Sequence, residues 1–397
     1  MAKFFDALET RCAKDRASAQ LKALQDQIKR VQASNAPVKP AWVDTLSGLA
    51  DLPVLRKSAL LAWQEERPPF GGLPVQNTTH IFQSPGPIYE PGGSSHDWWR
   101  MGRFLHAAGI GAGDVVQNCF GYHLTPAGAI FENGARAVGA VVVPAGTGQT
   151  ELQVRAADAA KVTVYAGTPD YLKVILEKAD AMGIHLGIDR AVVGGGALFP
   201  SLRAWYEDRG ISCLQCYATA DLGNIAYESP SKKGMIVDEG VIVEIVTPGT
   251  GDPVPEGDVG EVVVTSLNPD YPLIRFATGD LSAVMQGQSP CGRTNMRIKG
   301  WMGRADQTTK IKGMFVRPEQ VAGFVKRHSE VTRARVVATR DGERDVMTLQ
   351  VEGRVDAVDA YEASARDVMK MGAVIQVFEQ GDLPRDGKVI DDLRSYD

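Results

Sequence analysis

The amino-acid sequence predicts an α/β protein, with doubly wound mixed sheets plus a β-layer in a large amino-terminal domain and a small α+β domain after it. Three observations carry that expectation. Between residues 97 and 216, short β-branched apolar runs alternate with segments of helical period, the pattern of strands joined by crossover helices. After residue 234 the helical pattern stops, and apolar strands flank the turn cluster PGTGDPVPEGDVG. From residue 305 a third texture starts, long enough for a small domain of its own.

Taken in order, residues 1–34 place Phe4, Phe5, Leu8, Leu21, Leu24, Ile28 and Val31 near a 3.6-residue period, and the stretch 35–40 breaks it. Residues 52–58 read as a turn into a short helix, and the Gly- and Pro-rich stretch 68–93 as mostly loop. Strands are expected at 114–119, 140–143, 162–166, 190–193 and 211–216, with helices at 124–138, 150–160, 168–182 and 198–209 between them. The β-layer takes 241–246 and 261–266. The last part runs as a strand at 308–311, a helix at 318–328, strands at 333–339 and 345–352, a helix at 355–371 and a strand at 373–378. These textures divide the chain into domains at 1–304 and 305–397.

Composition narrows the function classes. Of 397 residues, 44% are apolar and 23% charged, ordinary for a folded globular chain. The net charge of -5 lacks the basic footprint of a nucleic-acid binder. No apolar run approaches the ~20 residues of a membrane span. The start MAKFFDALETRCAKDR carries charges where a signal peptide has its apolar stretch. Five scattered cysteines make no disulfide framework. The expectation is a cytoplasmic protein with no nucleic-acid or membrane partner.

Several segments can carry chemistry. Asp280 in Phe-Ala-Thr-Gly-Asp is a turn aspartate or an acceptor for ribose hydroxyls. Tyr217-Ala-Thr219-Ala-Asp221 follows a predicted strand, at the sheet end where α/β proteins bind ligands; a helix cap with a packed tyrosine is the alternative. Gly194-Gly195-Gly196 either admits a flat ligand close to the backbone or is a loose connection. Lys388, in a Pro- and Gly-shaped turn, is a solvated charge or a presented ammonium. His123 sits at a strand–helix junction as a pocket or turn residue. Residues 84–93, SPGPIYEPGG, lack a Lys and are interrupted by prolines, so they read as structural rather than as a phosphate cradle. Cys213 and Cys216 are expected to be buried thiols, and Trp98 and Trp99 to be packed.

The order of these motifs is more informative than any one of them. Tyr-x-Thr-x-Asp, then Arg-Phe-x-Thr-Gly-Asp, then GRADQTTKIKG and a terminal Pro-x-x-Gly-Lys resemble the adenylate-forming acyl-CoA synthetases. More narrowly, with ALETR, GYHLTPAG, VVVPAGTGQTE and PLIRFATGDL, the chain resembles the phenylacetate-CoA ligase family over residues 4–390. The resemblance implies activation of an aromatic or arylacetic acid by ATP to an acyl-adenylate, with Mg²⁺, and transfer of the acyl group to coenzyme A. By that resemblance Tyr217 stacks on adenine beside Gly194, Gly195 and Gly196, Thr219 contacts the α-phosphate, and Asp221 takes the Mg²⁺ role. Asp280 binds ribose, Arg304 binds ribose or phosphate, and Asp306 lies at the hinge of a mobile carboxy-terminal domain. Lys388 is the catalytic lysine of adenylation, and Lys312 and Gly313 border the thioesterification face. Tyr122, His123, Ala145 and Gly146 line the acyl pocket. Phe4, Phe5 and the first helix offer a surface for a homodimer.

Two departures stand out. SPGPIYEPGG replaces the family's Ser/Thr/Gly-rich phosphate loop, and Ser-Pro-Cys291-Gly-Arg replaces a Cys-x-Cys-Gly-Arg stretch, so no structural metal is expected there. The alternatives are an adenylating enzyme with an amine or carrier-protein acceptor, and a non-catalytic relative that binds nucleotide or acyl-CoA.

Overall fold

The structure, a computed structural model, describes residues 3–84, 87–305, 309–312, 314–341, 344–384 and 388–394. The chain divides into two compact units. Unit one holds Met1–Val243, Val264–Thr278 and Met285–Trp301, and unit two holds Glu244–Val263, Gly279–Val284 and Met302–Asp397.

The chain opens with α1 (Ala13–Ala33), β1 (Leu55–Arg56) and α2 (Lys57–Glu66). Cys12 caps α1 by accepting the Asp15 N–H at 3.4 Å. Its buried stripe, Gln20, Leu24, Gln27, Ile28 and Val31, keeps the spacing of a helix lying on a core. There follow β2 (Thr78–Ser84), β3 (Ile88–Gly93) and the short α3 (Gly102–Ala107).

Strands and helices then alternate as the sequence predicts: β4 (Val115–Asn118), α4 (Ala127–Ala137), β5 (Val141–Val143), α5 (Thr150–Ala159), β6 (Val164–Gly167), α6 (Pro169–Ala181), β7 (Arg190–Val193), α7 (Pro200–Glu207) and β8 (Ser212–Thr219). Pro169 and Pro200 open their helices, where a missing N–H costs nothing. On α6, Leu172, Ile175, Leu176 and Ala179 turn inward at i, i+3, i+4 and i+7 and pack with Tyr165 and Val193 in one core. The chain continues through β9 (Gly223–Glu228), β10 (Met235–Val237), β11 (Val241–Val246), β12 (Gly260–Ser266), β13 (Phe276–Ser282), β14 (Val284–Met285) and β15 (Arg297–Ile298).

In unit one the strand order is β15-β10-β9-β8-β7-β6-β4-β5. The part from β8 to β5 is parallel, and the pairs β8–β9, β9–β10 and β10–β15 are antiparallel, giving the mixed sheet the sequence implied. The parallel register puts the carboxyl ends of β4, β6, β7 and β8 along one edge.

One expectation is overturned. Residues 68–93 are not mostly loop: β2 and β3 pair antiparallel from Ser84↔Ile88 to Thr78↔Gly93. The run Thr-Thr-His-Ile-Phe supplies β-branched and aromatic side chains. Pro91 is tolerated because both strands of this two-stranded sheet are edges. The glycines of this hairpin are packing residues: a Cβ at Gly92 would lie 2.5 Å from Phe82 Cε2, and one at Gly93 would overlap the Trp98 indole. Trp98 and Trp99 are buried as expected, in an edge-to-face pair at 4.8 Å.

Unit two contains β16 (Thr309–Ile311), β17 (Met314–Val316), α8 (Pro318–Arg327), β18 (Arg333–Asp341), β19 (Arg344–Glu352), α9 (Val358–Met369), β20 (Val374–Phe378) and β21 (Ile390–Asp392). The sheet runs β20-β19-β18-β21. Its core joins Val321 and Phe324 of α8 and Tyr361 and Met369 of α9 to Val336 and Leu349. Among the described residues no helix is long and apolar enough to cross a membrane.

Candidate functional site

The carboxyl edge of the parallel sheet gathers most of the residues singled out in unit one. Gly194–Gly196 leave β7 where its neighbour β8 carries Cys216 and Tyr217. A Cβ on Gly194 would stand 3.0 Å from Cys216 Sγ, and Gly195, at φ +68°, lies beside Phe120. The glycines therefore leave a side-chain-free strip of backbone next to buried Tyr217, as a flat ligand requires.

Asn118, at the end of β4, organises the neighbouring corner. Its Nδ2 donates to the Tyr122 hydroxyl at 2.8 Å, and its carbonyl accepts the Gly146 N–H at 3.0 Å. Tyr122 in turn donates to Glu132 at 3.0 Å, and burial together with Glu132 pushes its phenol up. His123 is exposed, while Ala145 and Gly146 are half-buried after β5. The hairpin reaches this corner through the Gln83 N–H, which donates to the Leu124 carbonyl at 2.8 Å.

Beyond β8, Thr219 Oγ1 accepts the Leu222 N–H at 3.2 Å and shapes the turn that presents Asp221. The Asp221 side chain is 3% exposed, and its Oδ2 accepts from Lys57 Nζ, at the start of α2, at 3.3 Å. Glu90, from β3, lies in hydrogen-bond reach of Asp221, and its Oε1 accepts from Ser84 Oγ at 2.5 Å. Burial, then the Asp221 carboxylate, push Glu90 up to about 8, against the opposing pull of Ser84 and Lys57. Tyr271 is buried, and its phenol is raised by burial first and then by the charges of Asp221 and Glu90. Asp221 Oδ1 and Glu90 Oε2 are buried and accept from no other group, and the Tyr271 hydroxyl is buried without a hydrogen-bond partner.

Sequence reasoning singled out Asp221 but missed Lys57, Tyr271 and the use of Glu90. Glu90 stood out only as a charge unsuited to a phosphate loop. Lys57 and Tyr271 belong to no motif and lie far along the chain from Asp221, so only the fold brings them there.

In unit two, Asp280 and Arg304 face each other across an isolated antiparallel bridge. Arg304 Nη1 donates to Asp280 Oδ1 at 3.0 Å, with Asp280 buried and Arg304 half-exposed. Gly279, at φ +73°, lies against this pair: a Cβ there would stand 2.7 Å from Arg304 Nη2. The Lys312 N–H donates to Asp345 Oδ2 at 2.9 Å. Lys388 Nζ bonds Asp391 Oδ1 at 2.8 Å, and Lys388 lines a cleft of about 320 Å³ between α8 and residues 247–259. Asp306 and Gly313 lie outside the described residues.

The expected buried thiols are found: Cys213 and Cys216 are enclosed, and burial raises both. Among the described residues no group of three or more His, Cys, Asp or Glu side chains is arranged to hold a metal ion.

Comparison with known proteins adds to this geometry. The family described as AMP-binding enzyme matches residues 122–268. The phenylacetate-coenzyme A ligase of Thermus thermophilus is 29% identical over 365 residues, 84% of this chain and 81% of that protein. That of Aromatoleum evansii is 28% identical over 334 residues, 79% of this chain and 74% of that protein. Among solved structures, an open conformation of 2-hydroxyisobutyryl-CoA ligase in complex with 2-HIB-AMP and CoA has a TM-score of 0.70. It is 24% identical, covers 95% of this chain and 91% of its own, and shares the fold.

Proposed function

Because the chain belongs to the phenylacetate-CoA ligase family of the adenylate-forming acyl-CoA synthetases, we propose that it is an ATP-dependent acid–CoA ligase acting on an aromatic or arylacetic carboxylate. The carboxylate attacks the α-phosphate of ATP, releasing pyrophosphate and leaving an acyl-adenylate. The CoA thiol then attacks the acyl carbon and AMP leaves. Similarity to curated phenylacetate-coenzyme A ligases along most of the chain carries this reading.

The main obstacle in the first step is the approach of two anions, so charge placed at the reacting oxygens acts on the transition state. In this reading Lys388 supplies that charge, bridging the acyl carboxylate and the α-phosphate, which Thr219 also contacts. Tyr217 and Gly194–Gly196 hold adenine, Asp280 takes the ribose hydroxyls, and Arg304 reaches ribose or phosphate. Tyr122, His123, Ala145 and Gly146 line the acyl pocket. Lys312 and Gly313 border the face where CoA arrives, and Asp306 is the hinge on which 305–397 turns as a mobile domain. Mg²⁺, when bound, neutralises phosphate charge. Asp221 would hold it, since a carboxylate oxygen is a donor suited to a hard cation. Cytoplasmic location and a homodimer through the first helix belong to the same reading. Phe4 and Phe5 are half-buried, with Arg293 over the Phe4 ring and His96 stacked on Phe5.

A second reading, a non-catalytic relative that binds nucleotide or acyl-CoA, is favoured by one observation. A hairpin with a buried Glu90 stands where the family carries its phosphate loop. ATP–pyrophosphate exchange over a panel of aromatic acids separates the two. Exchange that depends on one acid and falls at least a hundredfold in Lys388→Ala, about 2.7 kcal/mol of barrier, is the expected result. Nucleotide binding without exchange on any acid overturns the ligase reading. Product analysis with and without CoA distinguishes an amine or carrier thiol as acceptor.

A further inference from the structure

We infer that, with the acyl ring against Tyr122 as the ligase reading places it, the acid carries a hydroxyl or amino group on that ring, and that Tyr122 and Glu132 select for this donor.

The protons at the corner beside β4 can be counted. Asn118, fully buried, has two amide protons: one goes to the Tyr122 hydroxyl and the other to the Gly128 carbonyl, each at 2.8 Å. Its orientation is fixed, because Oδ1 accepts the Phe120 N–H at 3.2 Å and a flipped amide would set N–H against N–H. The single phenol proton of Tyr122 goes to Glu132 Oε2 at 3.0 Å. Burial and the Glu132 charge raise that phenol, so it keeps the proton it donates. Gln153 Nε2 spends both of its protons, on the Gly146 carbonyl at 2.9 Å and the Gly148 carbonyl at 2.8 Å. The Gly146 N–H is spent on the Asn118 carbonyl.

The donors of Asn118, Tyr122, Gly146 and Gln153 are thus consumed within the protein, and what they leave is acceptor capacity. The Tyr122 oxygen has accepted one hydrogen bond and keeps a second lone pair, next to a carboxylate. Both residues are half-buried, so their oxygens are only partly satisfied by bulk water. The same two segments of chain supply an apolar wall. Phe120 and Phe131 stack with centroids 4.3 Å apart, and a Cβ on Gly195 or Gly194 would stand 3.7 Å from their rings. An aromatic acid with a ring donor matches both surfaces. A methyl group in the donor's place leaves desolvated oxygens unpaired, and a methoxy group sets lone pairs against lone pairs. His123, exposed, offers a donor or an acceptor according to its tautomer and does not discriminate.

ATP–pyrophosphate exchange on phenylacetic and benzoic acids, with one substituent at each ring position in turn, tests the inference. At one position the hydroxyl- or amino-bearing acid should exceed its methyl and methoxy counterparts about tenfold or more in kcat/KM. Tyr122→Phe should bring that ratio close to one. Glu132→Gln, which introduces a donor, should raise the methoxy acid and lower the hydroxyl-bearing one, with the KM for ATP unchanged. Circular dichroism verifies folding, and Tyr122→Phe carries the reading if Glu132→Gln is not folded. Donor-bearing acids preferred at no ring position, or a loss equal for every acid in the folded variants, overturns the inference. No exchange with any acid removes the ligase reading instead, and equilibrium dialysis of the same acids then decides. Donor-bearing acids binding about tenfold tighter than their methoxy counterparts uphold the inference, and equal or absent binding overturns it.

Discussion

Cys291 is half-buried in a turn next to Arg293. Burial alone would raise its thiol. Hydrogen bonds from Ser289 Oγ at 3.1 Å, from Arg293 and from Ser229 outweigh burial and hold it at about 7. Cys119 and Cys213 experience burial with little to oppose it and are pushed up to about 12. The thiolate is the nucleophile, and its fraction rises as pH passes the pKa. Iodoacetamide followed by mass spectrometry should therefore label Cys291 with a rate that climbs from pH 6 and levels off above about 8. Cys119 and Cys213 stay unlabelled in the folded protein at the same pH. A Cys291 rate still rising steeply at pH 9 would mean those hydrogen bonds do not hold the thiolate. The motif residues Tyr217, Asp221, Asp280, Arg304 and Lys388 could be singled out at this scale, because each sits in a short ordered pattern. What each one touches was not legible, since Lys57 and Tyr271 have no pattern to betray them.

The β2–β3 hairpin shows how one element can be misread. Its prolines and glycines signal loop, yet here the glycines make room for aromatic rings and the prolines sit on edge strands. Gly93→Ala forces a methyl group into the Trp98 indole, and overpacking of this kind costs about 1–3 kcal/mol. Urea unfolding should show the midpoint falling with an unchanged slope. An unchanged midpoint would mean that the hairpin does not rest on the tryptophans. Elsewhere the element pattern held closely. Helices α4 to α7 and strands β4 to β8 fall where alternating period placed them, because burial on both faces of a parallel sheet writes itself into continuous apolar runs.

At the scale of the molecule, long-range ion pairs tie the chain's start to its middle. Glu9, 1% exposed, accepts from the Tyr227 hydroxyl at 2.9 Å, from the Phe5 N–H at 2.6 Å, and from Arg293. Nearby, Arg103 holds both Asp238 oxygens, at 3.0 and 3.1 Å, and reaches Asp6 at 2.6 Å. Glu9→Ala leaves the Arg293 guanidinium buried and uncompensated, a loss of about 3–5 kcal/mol. Thermal unfolding should shift down by several degrees at least, and more than in Glu9→Gln, which keeps a hydrogen-bond acceptor. Equal shifts would mean that the charge of Glu9 contributes nothing.

Fold class, element order and the resemblance of the motifs to a known family were all readable in the linear chain, because periodicity, turn chemistry and motif order are local. The pairing of 78–84 with 88–93, the meeting of Lys57 and Glu90 with Asp221, and the burial of Glu9 as an anchor came only from the folded structure. The reason is physical. Burial and charge pairing depend on what lies opposite in space, and residues separated by scores of positions share no period that would announce their meeting.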